Sequence, residues 1–315
     1  MTHALTFLKG MLVGIANIIP GVSGGTFALI LGIYERLLKS IAGFGIRSVK
    51  LLFGLITHPG NKESRTAFGQ EMKRTDASWL LLLMLGAAVA ILASSRLIAM
   101  LLDEHRAPTL AFFIGLIVPS ILVPYGLLNR KGIKEALSCL IAAAALICLT
   151  IFFKPAAGGT GNLITLFIAG AIAISAMILP GVSGSFILMV LGEYRSVLDA
   201  INNMDILKLA VFGAGCVVGI LAFVRLLNYL LKKFQSVTMA FLIGLILGSL
   251  WVLWPFKEVA VGAKLITGSN IFPTAFNAEL AWSIGAFIGG LACSAGLHFL
   301  GKTKDKPASD SGKSS

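Results

Sequence analysis

The sequence predicts an all-α polytopic membrane protein. It is organised as an inverted-topology repeat, each half holding one re-entrant broken-helix hairpin plus three transmembrane helices. Three observations predict this: an apolar composition, long uncharged runs of spanning length, and a segment that occurs twice. Of 315 residues, 57% are hydrophobic and 13% charged, with a mean hydropathy of +0.91. A water-soluble domain carries about twice that charge density. So few charges cannot coat a soluble globule of this size, which excludes an ordinary cytosolic enzyme, a disordered chain and a disulfide scaffold.

A membrane-spanning helix needs about 20 apolar residues. Six runs qualify, at 78–102, 109–128, 136–153, 208–231, 238–256 and 280–300. Two more apolar stretches, 5–41 and 164–201, are too long for one span and are cut near the middle by a Pro-Gly cluster. Each half of such a stretch holds about 15 residues, or roughly 22 Å of helix, short of a crossing of roughly 30 Å. The expectation is a hairpin that enters the membrane, breaks and returns to the same side. Irregular backbone at that depth is tolerated only inside protein or against a wet cavity.

The two stretches are copies. Phe7–Ile41 aligns with Phe167–Ile201 at a constant offset of 160, with 14 of 35 positions identical. The shared positions include Pro20–Gly24 against Pro180–Gly184, and Leu31-Gly32-x-Tyr34 against Leu191-Gly192-x-Tyr194. Further on, Thr109–Ile117 recurs as Thr238–Ile246 at an offset of 129, and Arg96 recurs as Arg225. The first half therefore carries 31 extra residues, around 45–76. One hairpin and three spans per half is an odd number of crossings, so the second half enters from the opposite side, as in many transporters.

Charge sets the orientation. With the N-terminus in the cytoplasm, 17 basic residues fall inside and six outside, in accord with the positive-inside rule. Residues 1–154 then form the first repeat, with its hairpin at 5–41 and a cytoplasmic loop at 42–77. Residues 155–301 form the second, with its hairpin at 164–201, and 302–315 a disordered cytoplasmic tail. Within the extra segment, Ile46–Ile56 reads either as an interfacial amphipathic helix or as a solvated loop. The four cysteines, all in apolar runs, read as buried thiols. The four histidines lack metal-ligand spacing, so no metal site is expected.

Each Pro-Gly cluster opens a second half-helix, which Ser23 or Thr26, and Ser183 or Ser185, can cap. A helix N-terminus offers unpaired N–H groups and partial positive charge, and so suits an anion. Two such ends brought in from opposite faces would meet near the midplane. The candidate anion-binding residues are Gly21, Ser23, Gly24, Gly25 and Thr26 in one loop, and Gly181, Ser183, Gly184 and Ser185 in the other. Arg96 and Arg225 lie in apolar runs, either snorkelling to headgroups or gripping a phosphate with two N–H groups. Glu35 and Glu193, beside the hairpin tyrosines, could relay a proton or form interfacial ion pairs.

Phe7-x-x-Gly10 followed by Pro20-Gly-Val-Ser-Gly-Gly-Thr26 and Gly32-x-Tyr34-Glu35 resembles the PopT-type polyprenyl-phosphate transporters of bacteria and archaea. That family was long catalogued as a domain of unknown function, and the resemblance covers about residues 5–300. It implies a multi-pass protein of the cytoplasmic membrane, with both termini inside, that returns undecaprenyl phosphate from the outer to the inner leaflet for cell-wall synthesis. It also implies no catalytic residue and no cofactor. The partners implied are the lipid substrate and the surrounding membrane lipids. No nucleic acid is expected, and a homo-oligomer is left open. Ser185-Phe186 stands where the first copy has Gly25-Thr26, so equal roles for the loops are not implied. The rivals are an undecaprenyl pyrophosphate phosphatase and a small-anion channel or exchanger. The phosphatases place an Arg after the loop Ser, where Gly24 and Gly184 stand here.

Overall fold

The computed structural model describes residues 3–19, 22–58, 60–152, 161–258 and 269–302. Pro20, Gly21 and the tail beyond 302 lie outside the described residues. The first half begins with α1 (His3–Ile18), α2 (Gly24–Ile30) and α3 (Tyr34–Gly43), followed by α4 (Ile46–Thr57) and α5 (Lys62–Arg74). It continues with the 28-residue α6 (Ala77–Glu104), with α7 (Arg106–Ile117), which runs through a 3-10 turn into α8 (Leu122–Gly126), and with α9 (Ile133–Phe152). The second half has α10 (Leu163–Ile178), α11 (Gly184–Val190), α12 (Tyr194–Asn202), the 28-residue α13 (Ile206–Lys233), α14 (Gln235–Val252) and α15 (Ala278–Lys302). A two-residue antiparallel ribbon, Lys257–Glu258 with Ser269–Asn270, precedes α15. Among the described residues six helices are long and apolar enough to span a membrane, and they fall on the six runs read from hydropathy.

The broken stretches are more broken than expected. Each is three helices, of 16, 7 and 10 residues in the first and 16, 7 and 9 in the second. The second break is the Leu-Gly-x-Tyr motif. Gly32 and Gly192 adopt φ of +66° and +77°. Ile33 N–H donates to the Ala28 carbonyl and Gly32 N–H to Leu29, and Glu193 and Gly192 repeat the pattern on Leu188 and Met189. This is the Schellman ending, in which a left-handed residue closes a helix; a side chain there would be strained, so the motif needs Gly. The tyrosine then opens the third helix.

The halves pack with the same residues. α1 lies on α6 as α10 lies on α13, and α7 pairs with α15 as α14 pairs with α9. A side-chain carbon on Gly86 would fall on the Phe7 carbonyl oxygen, and one on Gly215 would fall on the Phe167 carbonyl. These are matching positions in the two halves. Without a hydrophobic driving force between helices in lipid, such backbone approach is what holds helices together. The shared core includes Phe27, Leu38, Leu110, Ile117, Leu242 and Ile246, each at most 2% exposed.

Outside the repeat, α4 and α5 form an antiparallel pair pinned by Glu71, which is 3% exposed. Glu71 accepts from Arg74 at 2.7 and 2.8 Å and from the Ser48 hydroxyl, and it pairs with Arg47 at 3.7 Å. These bonds, those of Arg74 foremost, hold its carboxyl down to about 2.

Substitution of Gly86 or Gly215 by Ala is expected to destabilise the protein by about 1–3 kcal/mol, the usual range for overpacking. Gly69→Ala, where no atom lies within 4 Å of the added carbon, should be neutral or slightly stabilising. Thermal unfolding in detergent, read by size-exclusion recovery, checks all three.

Candidate functional site: two broken loops and a cleft

The break after α1 and the break after α10 touch. Ser23 caps α2, accepting from Thr26 N–H at 3.3 Å, as the sequence indicates. Its hydroxyl also donates to the Leu179 carbonyl at 3.1 Å. Gly181 N–H donates to Ser23 Oγ at 3.1 Å and to Thr26 Oγ1 at 2.9 Å. Tyr34 OH donates to the Ile178 carbonyl at 3.2 Å, a second tie from the first hairpin to the second break. Ser23, Thr26 and Tyr34 are each no more than 2% exposed. Gly181 has φ +83° and packs against the Leu245 backbone, and Gly25 packs against the Ile178 carbonyl. The meeting of the two loops expected from sequence is present, made by side-chain hydroxyls of one loop and backbone groups of the other.

Charge and exposure divide the loops. In the first, Gly24 N–H is already taken by the Asn17 amide oxygen at 2.9 Å, and Thr26 N–H by Ser23. In the second, Ser183 does not cap α11, contrary to the capping expectation. Its hydroxyl pairs instead with that of the exposed Ser185, at 2.9 Å. Among the described residues no side-chain amide bonds that loop as Asn17 bonds the first. At the position matching Asn17 stands Met177, whose side chain lies against Gly184.

From the first loop an apolar cleft of about 440 Å³ leads away between α1, α6, α10 and α13. Asn17, Gly24 and Gly25 head it, and Gly45, Ser48 and Val49 stand at its far end. Beside that end Arg225 donates to the Phe44 carbonyl at 2.9 Å, and Asn228 to the Leu38 carbonyl at 3.5 Å. Arg225 thus has a specific partner on the other half. Arg96, at the matching place on α6, is exposed with no hydrogen bond or ion pair among the described residues. The structure does not bring the two arginines to one point.

The glutamates also part company. Glu35 is exposed and pairs with Lys39 at 3.8 Å, a weak interfacial ion pair. Glu193 is 3% exposed, and one carboxylate oxygen has no hydrogen-bond partner among the described residues.

Sequence reasoning missed Asn17, Lys9 and the second Gly break. Asn17 carried a signal, being the lone amide in the apolar run before the loop and facing Met177 in the alignment. Lys9 donates to the Leu31 carbonyl at 2.8 Å and so places a cation at the end of α2, where the helix dipole favours one.

Ser23 and Thr26 share one donor, Gly181 N–H, so either can serve when the other is lost. Ser23→Ala or Thr26→Val alone should cost about 0.5–1.5 kcal/mol, and the double variant more than the sum, because a buried N–H left without an acceptor costs about 1–3 kcal/mol. A double-mutant cycle on thermal unfolding measures the coupling. Strict additivity would show that the loops are not joined through Gly181.

The chain matches the family model described as VCA0040-like, undecaprenyl phosphate translocase-like, over residues 13–271. It is 37% identical over 263 residues to a protein of Vibrio cholerae serotype O1 named polyprenyl-phosphate transporter, covering 82% of this chain and 80% of that one. It is 32% identical over 270 residues to a protein of Staphylococcus aureus of the same name, covering 80% and 86%. No solved structure matches it. The match covers both broken loops, and the chain belongs to the undecaprenyl phosphate translocase-like family.

Proposed function

We propose that the protein carries a polyprenyl phosphate, undecaprenyl phosphate in bacteria, across the cytoplasmic membrane from the outer to the inner leaflet. It does so by alternating access between two inverted halves, with both termini in the cytoplasm and no catalytic residue. Of the candidate residues in the two loops, Ser183, Gly184 and Ser185 hold the phosphate, because the amides of Gly24, Thr26 and Gly181 and the hydroxyls of Ser23 and Thr26 already bond within the protein. Arg96 meets it on the outer side and Arg225 on the inner, while the prenyl tail stays in lipid. Glu193, buried and incompletely bonded, is the better placed of the two glutamates to carry a proton.

The observation that carries this reading is the unequal closure of two equivalent places. On one side α3 packs on α13 and is tied there by Arg225 and Asn228. The repeat offsets place the matching contact between α12 and α6, with Arg96 on the Met204 carbonyl. Arg96 is instead exposed and unbonded among the described residues, and Ser185 is exposed beside its half-helix. A device of two like halves with one side shut and the other open is one member of an alternating pair. The tied side carries the basic loop, which the positive-inside rule puts in the cytoplasm, and the cleft ends beside it at Gly45, Ser48 and Val49.

Purified protein in vesicles, loaded with undecaprenyl phosphate in the outer leaflet, should transfer it to the inner. Inorganic phosphate flux without lipid movement would sink the lipid reading in favour of a small-anion carrier. Gly24→Leu, whose side chain would displace Asn17 at the head of the cleft, should abolish transfer at normal expression. Arg96→Lys and Arg225→Lys should be nearly as defective as the Ala variants. Lys lacks the planar fork, and a lost charge-assisted hydrogen bond is worth roughly 10- to 150-fold. Normal transfer by both Lys variants would make the arginines interface anchors.

Orientation is checked in intact cells. A cysteine at Asn277 should react with an impermeant maleimide and one at Asn61 should not; the reverse pattern overturns the topology.

A further inference from the structure

The α4–α5 pair belongs to neither repeat and has no part in the transport reading above. Helix α4 has no buried residue and three distinct sides. Ser48, Leu51 and Leu55 are half-buried against the protein. Arg47 and Lys50 form a basic edge. The remaining side is apolar and open: Ile46, Val49, Leu52, Phe53 and Ile56 are 45–78% exposed. These five recur at helical spacing, which makes a continuous stripe.

The pair is a hairpin whose two ends return to one level. At the end of α3, just before α4, the Gly43 carbonyl accepts from Arg74, the last residue of α5, at 2.6 Å. Arg36 on α3 bonds Asp76 at the foot of α6 at 2.6 Å. Helix α5 carries Lys62, Glu63, Arg65 and Lys73, all polar and most exposed, so it must stay in water. Since α5 begins where α4 ends, α4 cannot have crossed a membrane in between. Its 12 residues span about 18 Å, also too short to cross. It is bent 62° from α3, away from that helix's direction. The Glu71 bonds fix which side faces the protein, so the stripe keeps one direction.

That direction is toward lipid. Val49 shares a cleft wall with Met84 of α6, and Met84 is 60% exposed on a membrane-spanning helix. The stripe therefore continues the lipid-facing surface of the spans, while the basic edge suits anionic headgroups. We infer that α4 is an in-plane membrane helix, its apolar stripe seated among the upper acyl chains of an anionic leaflet and its Val49 edge forming the lip of the cleft. Tail carbons of a lipid in the cleft can then pass over that lip without crossing water.

The test uses full-length protein with its four cysteines replaced, reconstituted in phosphatidylethanolamine–phosphatidylglycerol vesicles. A fluorescent label is attached to Phe53→Cys, Ile56→Cys or, as a control on α5, Glu63→Cys. Lipids carrying a spin label high or low on the acyl chain serve as quenchers. The expected result is that the shallow quencher dims the labels at 53 and 56 several-fold more than the deep one, and leaves the label at 63 bright. Strongest quenching by the deep label would make α4 part of a bent span. No quenching at either site would mean that water or a second copy of the chain covers the stripe. Either outcome overturns the proposal, and neither depends on what the protein transports.

Discussion

The hydrogen bonds between the two broken loops are the constraint on which the architecture depends. Breaking a helix within the membrane frees N–H and C=O groups that no water can satisfy, at a cost of several kcal/mol each. Here the freed groups of the second break, the Leu179 carbonyl and the Gly181 amide, are bonded by the Ser23 and Thr26 hydroxyls of the first. The second break is thus bonded through the first, and the helices bearing the loops must bring them to one place. The backbone contacts of Gly86 on Phe7 and Gly215 on Phe167 set α1 and α10 close enough to their long neighbours to do this.

A break that needs a partner explains which sequence features were legible. Hydropathy read the spans to within a few residues, 78–102 against Ala77–Glu104 and 208–231 against Ile206–Lys233, because a span's length is imposed by the bilayer. The Pro-Gly clusters announced the first break and the repeat announced its copy. The second break was hidden because Leu-Gly-x-Tyr is one glycine in an apolar run, and only its positive φ distinguishes a terminator from a packing residue. Asn17 was hidden for a different reason. Its role is to bond an amide seven residues later across a bend, a contact that no helical periodicity encodes. The α4 helix was legible as amphipathic, but its separation from a loop needed Glu71, 23 residues beyond Ser48 in sequence and adjacent in space.

The same view accounts for the difference between the loops. Thr26 Oγ1 accepts from Gly181 N–H. The matching position in the second half is Phe186, which has no acceptor to offer to the first loop. Ser185, in place of Gly25, adds a hydroxyl that turns to Ser183 instead. Asn17 seals the amide of Gly24, and Met177, which covers Gly184, offers that helix end no acceptor. The repeat thus gives two loops of one shape and unlike chemistry, one sealed by its own half and one left with hydroxyls exposed.

That inequality bears on how the proposed cycle can run. Were the loops chemically equal, the outward and inward states could be mirror images, each exchanging its role with the other. Since Phe186 stands at the position matching Thr26, the bond from Gly181 N–H to the Thr26 hydroxyl has no counterpart acceptor in the second loop. Breaking it on each turnover would leave buried donors and acceptors unpaired, at about 1–3 kcal/mol for each group. Keeping it costs nothing, and it joins the two halves at their breaks. In the proposed cycle the loop contact is therefore the pivot. What exchanges there is the outer set of contacts, in which Arg225 holds the Phe44 carbonyl and Arg96 has no bond among the described residues. Those contacts are single, partly exposed and cheap to remake, as the moving parts of such a device must be.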